Sequence, residues 1–187
     1  MKLAIIAGHH GPGTGAAYLD RDEWAFNVQT AVALYSRIAG EGSLPCDLRY
    51  VNQSFPGPHA EEQIFELKAA WARGIGATHV IEIHYNSQED LKAPLAEGNE
   101  LLWNVGTEAH WVACLQNGLA TLPNPHRPGF AGPHKRIFTI LPELQVAIVE
   151  PAFLFEDRIL EPSWIPTVCN ALKAGLYEYF GLEAQNG

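Results

Sequence analysis

Residues 3–15 read LAIIAGHHGPGTG: an apolar run, a glycine, two histidines, and then a loop of glycine and proline. A run this short and this rich in Ile has the length of a buried strand, and the glycine and proline behind it mark a stop. The same grammar recurs further on, where VIEIH ends at His84 and VAIVE ends at Glu150. Amphipathic stretches at helical spacing lie between such runs, and that alternation is the pattern of parallel strands buried on both faces. The chain is therefore expected to be α/β, a single domain with a mainly parallel twisted sheet of about six strands and helices on both faces.

Working outward, strands are expected at Leu3 to Gly8, Asp47 to Val51, His79 to Tyr85, Glu100 to Val105, Arg136 to Leu141 and Gln145 to Phe153. A first helix, with Asp20 as N-cap and Gly40 as stop, offers Trp24, Val28, Ala31, Tyr35 and Ile38 as one apolar stripe. A second offers Ile64, Leu67 and Trp71 and ends at Gly74; a third runs from a Thr107 cap through Val112, Leu115 and Leu119. The last starts near Ser163, buries Ile165, Val168, Leu172 and Leu176, and closes at Gly181. Residues 122–136, LPNPHRPGFAGPHKR, are too rich in proline and glycine for regular structure and are expected to form a loop that touches ligand.

With 187 residues, 47% of them hydrophobic, the chain suits one compact unit spanning 1–187, with 182–187 as a loose tail and no separate second domain expected. Its formal charge of -9 gives a polyanion no long-range attraction, so nucleic acid is not an expected partner. Cys46, Cys114 and Cys169 form no CxxC pair and read as reduced core residues. No run reaches the length of a membrane span, and the run after Lys2 is too short for a secretory segment. The expectation is a protein made in the cytoplasm without an export signal.

In open sheets ligands bind at the carboxyl ends of the strands, which turns the opening stretch into a search for polar residues where apolar runs stop. His9, His84 and Glu150 are three such residues, of the types that bind or work beside a metal. Each has a plainer reading. A strand-end histidine is equally explained by a hydrogen bond, Glu150 by a pair with a base, and Glu23 by a D-x-x-E capping box with Asp20. Glu82 lies two residues before His84, hence on the same strand face, where it could orient the imidazole; His10, beside His9, would point elsewhere, toward solvent or substrate. Arg127, His134, Lys135 and Arg136 sit in or beside the proline-rich loop, where they could meet carboxylates or be merely solvated.

Four short motifs in register sharpen this. AGHHG holds His9, EWAFN holds Glu23 and Asn27, EIHYN holds His84 and Asn86, and VEPAF holds Glu150 and Phe153. In order and spacing they resemble the zinc-dependent N-acetylmuramoyl-L-alanine amidases of the Amidase_3 family, peptidoglycan hydrolases of bacteria and phages. The resemblance implies one catalytic Zn²⁺ held by His9, Glu23 and His84, Glu150 as general base and acid, Asn86 near the substrate, and peptidoglycan or muropeptide as partner. It also implies action on the cell wall after release from the cell, as for a phage lysin, or recycling of wall fragments in the cytoplasm. The chain departs from the family's pattern at His10, at Glu82, where the family has a small polar residue, and at Pro151. Two other readings share these residues: a zinc amidohydrolase acting on a small N-acyl amino acid, and a wall-binding module without activity.

Overall fold

The computed structural model describes residues 1–50, 60–87, 97–104, 106–127, 129–131 and 143–182. A six-stranded sheet is ordered β4, β1, β5, β8, β6, β7, with β1 at Leu3–Ala7, β4 at Cys46–Arg49, β5 at His79–Ile83, β6 at Glu100–Trp103, β7 at Phe130–Ala131 and β8 at Gln145–Glu150. Neighbours from β4 to β8 run parallel; β6 is antiparallel to β8 and carries β7 in its own direction. A two-stranded hairpin, β2 at Ala17–Tyr18 and β3 at Arg21–Asp22, leads into the first helix. The expected strand at Arg136 to Leu141 lies outside the described residues, as does Val105.

Every residue of β1 and β5 is buried, which is why β1 reads as an unbroken apolar run and β5 as one interrupted, after His79, by Glu82 alone. Alternate residues separate into two layers. Leu3, Ile5, Ile81, Ile83, Ala147 and Val149 pack under α1 (Glu23–Glu41), α3 (Ala109–Leu119) and α4 (Trp164–Phe180). Ala4, Ile6, Val80, Val146 and Ile148 face the other way, against Ala69 and Ala72 of α2 (Ala60–Gly74). Helices on both faces follow from that alternation. Among the described residues no helix is long and apolar enough to cross a membrane. All three cysteines are free, two of them buried, and burial pushes the Cys169 thiol up to about 11.

Helix α1 corrects the sequence reading in two ways. Its N-cap is Asp22, whose side chain accepts from the Trp24 amide, and it ends on Gly42 in a left-handed conformation, so Asp20 and Gly40 do not bound it. There is accordingly no capping box between Asp20 and Glu23; Glu23 is the first helical residue and is free to turn inward. The buried stripe is Glu23, Asn27, Thr30, Ala31, Leu34 and Ile38, whereas Trp24, Val28 and Tyr35 are only half-buried. Thr30 finds a partner at its inward position, its Oγ1 lying 3.1 Å from the Tyr85 hydroxyl, which also accepts from Trp164 Nε1 at 3.2 Å, whereas the buried Asn27 carboxamide has no hydrogen-bond partner among the described residues. In α2 the expected Leu67 is exposed and the inward position belongs to Lys68. Helix α3 begins at Ala109, without a cap from Thr107.

Candidate functional site

Strands β1, β5 and β8 are adjacent and parallel, so their carboxyl ends share one edge of the sheet. His9 follows β1 by two residues, His84 directly follows β5, and Glu150 is the last residue of β8. Pro151 has no N–H, and the β8 ladder ends before it. Beyond the strand ends the segments that follow β5 and β8 stay together, since the Asn86 amide donates to Ala152 O and the Leu154 amide to Asn86 O, both at 2.9 Å. Arg21, buried in β3, donates from Nη1 to Leu154 O at 2.7 Å and pairs through Nη2 with Asp157 at 2.7 Å. That clamp fixes the start of α1 against the segment after β8, and so sets where Glu23 arrives.

Glu23 arrives between the two histidines. One carboxylate oxygen lies 2.9 Å from His9 Nε2 and the other 3.0 Å from His84 Nδ1, while the Ala16 amide donates to the carboxylate at 2.8 Å. The imidazoles meet edge-on with centroids 4.8 Å apart. One ligand atom from each of His9, Glu23 and His84 lies within 4.8 Å of the others. Ligands on a tetrahedral zinc ion stand roughly 3.4 Å apart, given metal bonds of about 2.1 Å. Two imidazoles and a carboxylate at this separation fit such an ion and leave a fourth position for water or substrate. His9 holds a φ of 60°, uncommon for a residue other than glycine and of the kind that functional sites retain.

The electrostatics favour positive charge at this point. Burial works against an ionised Glu23, but hydrogen bonds from His84 and His9 and their charge hold its carboxyl well below the usual range. Burial likewise works against a charged His84, yet hydrogen bonds to Glu23 and Glu82 and the charge of both raise it to about 9. The cleft around the cluster has a volume of about 310 Å³ and is also lined by Tyr85, Asn86, Ser87 and Glu150. Glu150 is 6% exposed and stands in register with Glu100 of β6. A larger cavity of about 570 Å³ between Glu97, Pro123, Phe155 and Trp164 holds none of these residues.

Two glycines make room for the cluster. A Cβ on Gly8 would come within 2.5 to 2.7 Å of the His84 ring, and one on Gly15, where φ is 86°, would reach His9 Cδ2 at 2.4 Å and Glu23 Oε2 at 2.8 Å. Gly13 has a comparable φ of 74° with nothing within 4 Å of the same atom. For a zinc ion held by His9, Glu23 and His84, Gly8→Ala and Gly15→Ala are therefore expected to lower affinity by at least about tenfold, because one of the three side chains must move. Gly13→Ala should show backbone strain alone, about 1 kcal/mol, with zinc affinity kept. Isothermal titration with zinc beside thermal melts separates the two effects; equal affinities in all three variants would refute the steric account.

The remaining expected site residues divide. Asn86 lines the cleft and donates from Nδ2 to Glu100 at 3.4 Å. Arg127 Nη1 lies 3.7 Å from Glu100, and its guanidinium sits 5.2 Å from the Phe153 ring centroid, so it is braced beside the cleft. His10 is buried, not turned to solvent, and its backbone amide donates to Thr14 Oγ1 at 3.2 Å. Glu82 is fully buried and its Oε1 lies 3.5 Å from His84 Nε2. His134, Lys135 and Arg136 lie outside the described residues. Sequence reasoning missed Arg21, Glu100 and Lys68. Glu100 opens an expected strand opposite a strand-end carboxylate, a signal that was available once β6 and β8 were paired.

No protein-family model matches the chain, and no curated protein matches it in sequence. Its fold is that of N-acetylmuramoyl-L-alanine amidase catalytic domains. The catalytic domain of CwlV, such an amidase from Bacillus (Paenibacillus) polymyxa var. colistinus, superimposes with a TM-score of 0.79 at 17% identity, covering 97% of this chain and 99% of that one. The amidase AmiC2 of Nostoc punctiforme gives 0.78 at 17% identity, with 97% of each chain covered. The catalytic domain of the CD27L endolysin, which targets Clostridia difficile, gives 0.74 at 17% identity, with 99% of each covered. At such identities the likeness is one of fold.

Proposed function

We propose that this chain is a zinc-dependent amidase that hydrolyses the amide bond between N-acetylmuramic acid and L-alanine in peptidoglycan. The observation that carries the reading is the convergence of His9, Glu23 and His84, with ligand atoms within 4.8 Å of one another, in a cleft that also contains Glu150. The end-to-end likeness to structures of N-acetylmuramoyl-L-alanine amidases supports the choice of bond. His9 Nε2, His84 Nδ1 and the Glu23 carboxylate would hold the ion, which supplies Lewis acidity toward an amide carbonyl and toward water at neutral pH.

The chain's own residues do the rest. Glu150 takes a proton from the attacking water as the C–N bond is approached and returns it to the departing nitrogen, which leaves as the free amine of alanine. The lactyl carbonyl carbon keeps the water oxygen and becomes a carboxylate. Asn86 presents a carboxamide at the cleft, and Arg127, braced by Glu100 and Phe153, is placed to meet a carboxylate of the stem peptide. Incubation of the zinc-loaded protein with purified cell walls should release new alanine amino termini and no new reducing sugars. Reducing ends without alanine termini would overturn the assignment, and hydrolysis confined to soluble N-acyl amino acids would replace the substrate.

A further inference from the structure

A lysine is closed inside the protein behind the site. Lys68 and Glu82 have side chains 1% exposed, and Lys68 Nζ lies 2.6 Å from Glu82 Oε1. They sit in the apolar layer beneath α2, among Ala69, Ala72 and Val80. Charges so placed are costly to desolvate, and a buried ion pair is often matched or surpassed in stability by apolar residues of like volume. Stability therefore gives a weak account of the pair. Its position gives a better one, because the Glu82 oxygen that meets Lys68 also lies 3.5 Å from His84 Nε2. On its other side the same ring places Nδ1 3.0 Å from Glu23, toward His9.

We propose that Lys68 and Glu82 are positioning residues of the metal centre: Lys68 anchors the Glu82 carboxylate, which takes the Nε2 side of the His84 ring and leaves Nδ1 as the atom offered to the ion. A histidine ligand needs its non-ligating nitrogen fixed in this way, and loss of such a support weakens metal binding by about 10- to 100-fold. The inference rests on the zinc reading above and adds to it a residue on another helix that touches no ligand atom. Among the described residues Glu82 Oε2 has no hydrogen-bond partner, and it is Oε1 that faces both Lys68 and His84.

The test compares K68M/E82L, which fills the space with apolar atoms, with K68M/E82Q, which keeps an oxygen facing Nε2. Zinc affinity is measured by competition with a chromophoric chelator, and cobalt spectra report the coordination geometry. K68M/E82L should melt no lower than the metal-free parent yet bind zinc about 10- to 100-fold more weakly, with K68M/E82Q recovering most of the loss. A folded K68M/E82L that binds zinc within about twofold of the parent overturns the proposal. Long-range heteronuclear spectra of the His84 ring in the zinc-loaded parent test it without mutation: Nδ1 ligation supports it, and Nε2 ligation overturns it. None of these measurements uses cell walls. A parent that binds zinc but leaves walls intact refutes the proposed substrate alone, whereas a parent that binds no zinc refutes both.

Discussion

Glu150→Gln is expected to give a folded, zinc-binding protein whose turnover on cell walls is lower by about 10³-fold, within the range seen when a general base is lost. The amide matches the carboxylate in shape but accepts no proton at neutral pH. Two features make this variant a clean one. Glu150 is not among the three groups whose ligand atoms cluster, so zinc content should not change. It stands opposite Glu100 in the β6–β8 ladder, both side chains nearly buried, and glutamine fills the same space, so the variant should fold as the parent does. The measurement is the rate of appearance of alanine amino termini at saturating zinc, beside metal analysis of the same sample. A variant that keeps parental turnover would remove Glu150 from the mechanism; one that loses zinc would make it a ligand.

How much of this was visible in the sequence follows from where each residue is buried. Strands β1, β5 and β8 are covered on both faces, so they had to be written as mostly apolar runs, and a polar residue at or just past the end of each stood out. That made His9, His84 and Glu150 legible. The β2–β3 hairpin and β7 have two residues per strand, too few for any period to register. In the first helix Ala31 and Ile38 of the apolar stripe do face the core, but the stripe also takes Trp24, Val28 and Tyr35 as inner residues, where Glu23, Asn27 and Leu34 are the buried ones. The chain instead turns Asn27 and Thr30 inward, since that rotation brings Glu23 to the strand ends. Lys68 escaped notice because periodicity counts lysine as solvated, although Glu82 in the middle of an apolar strand already required a buried cation nearby. Ile64 and Lys68 are four apart on α2, so the helical period itself placed Lys68 inward.

Removal of any one of His9, Glu23 or His84 should have the largest effect on the metal centre. Each alanine variant is expected to bind zinc more than about 10²-fold more weakly, beyond the loss typical of a supporting contact, and to show only background release of alanine termini. The three should differ in their metal-free forms. Glu23 holds both imidazoles, at 2.9 and 3.0 Å, so Glu23→Ala strips a partner from two rings, one of them buried, and should lower the metal-free melting temperature. His9→Ala removes the more exposed ring and leaves the Glu23–His84 contact standing, so it should melt close to the parent. Zinc sharpens the contrast, because an ion that binds only the folded state adds about 2.7 kcal/mol at a free concentration 100-fold above its Kd. Scanning calorimetry with zinc, and again after chelation, should therefore raise and then lower the melting temperature of the parent while leaving all three variants in place. A zinc-dependent rise that survives in the alanine variants would mean that the ion sits elsewhere, and the cluster at the strand ends would then be a hydrogen-bonded knot of His–Glu–His rather than a metal centre.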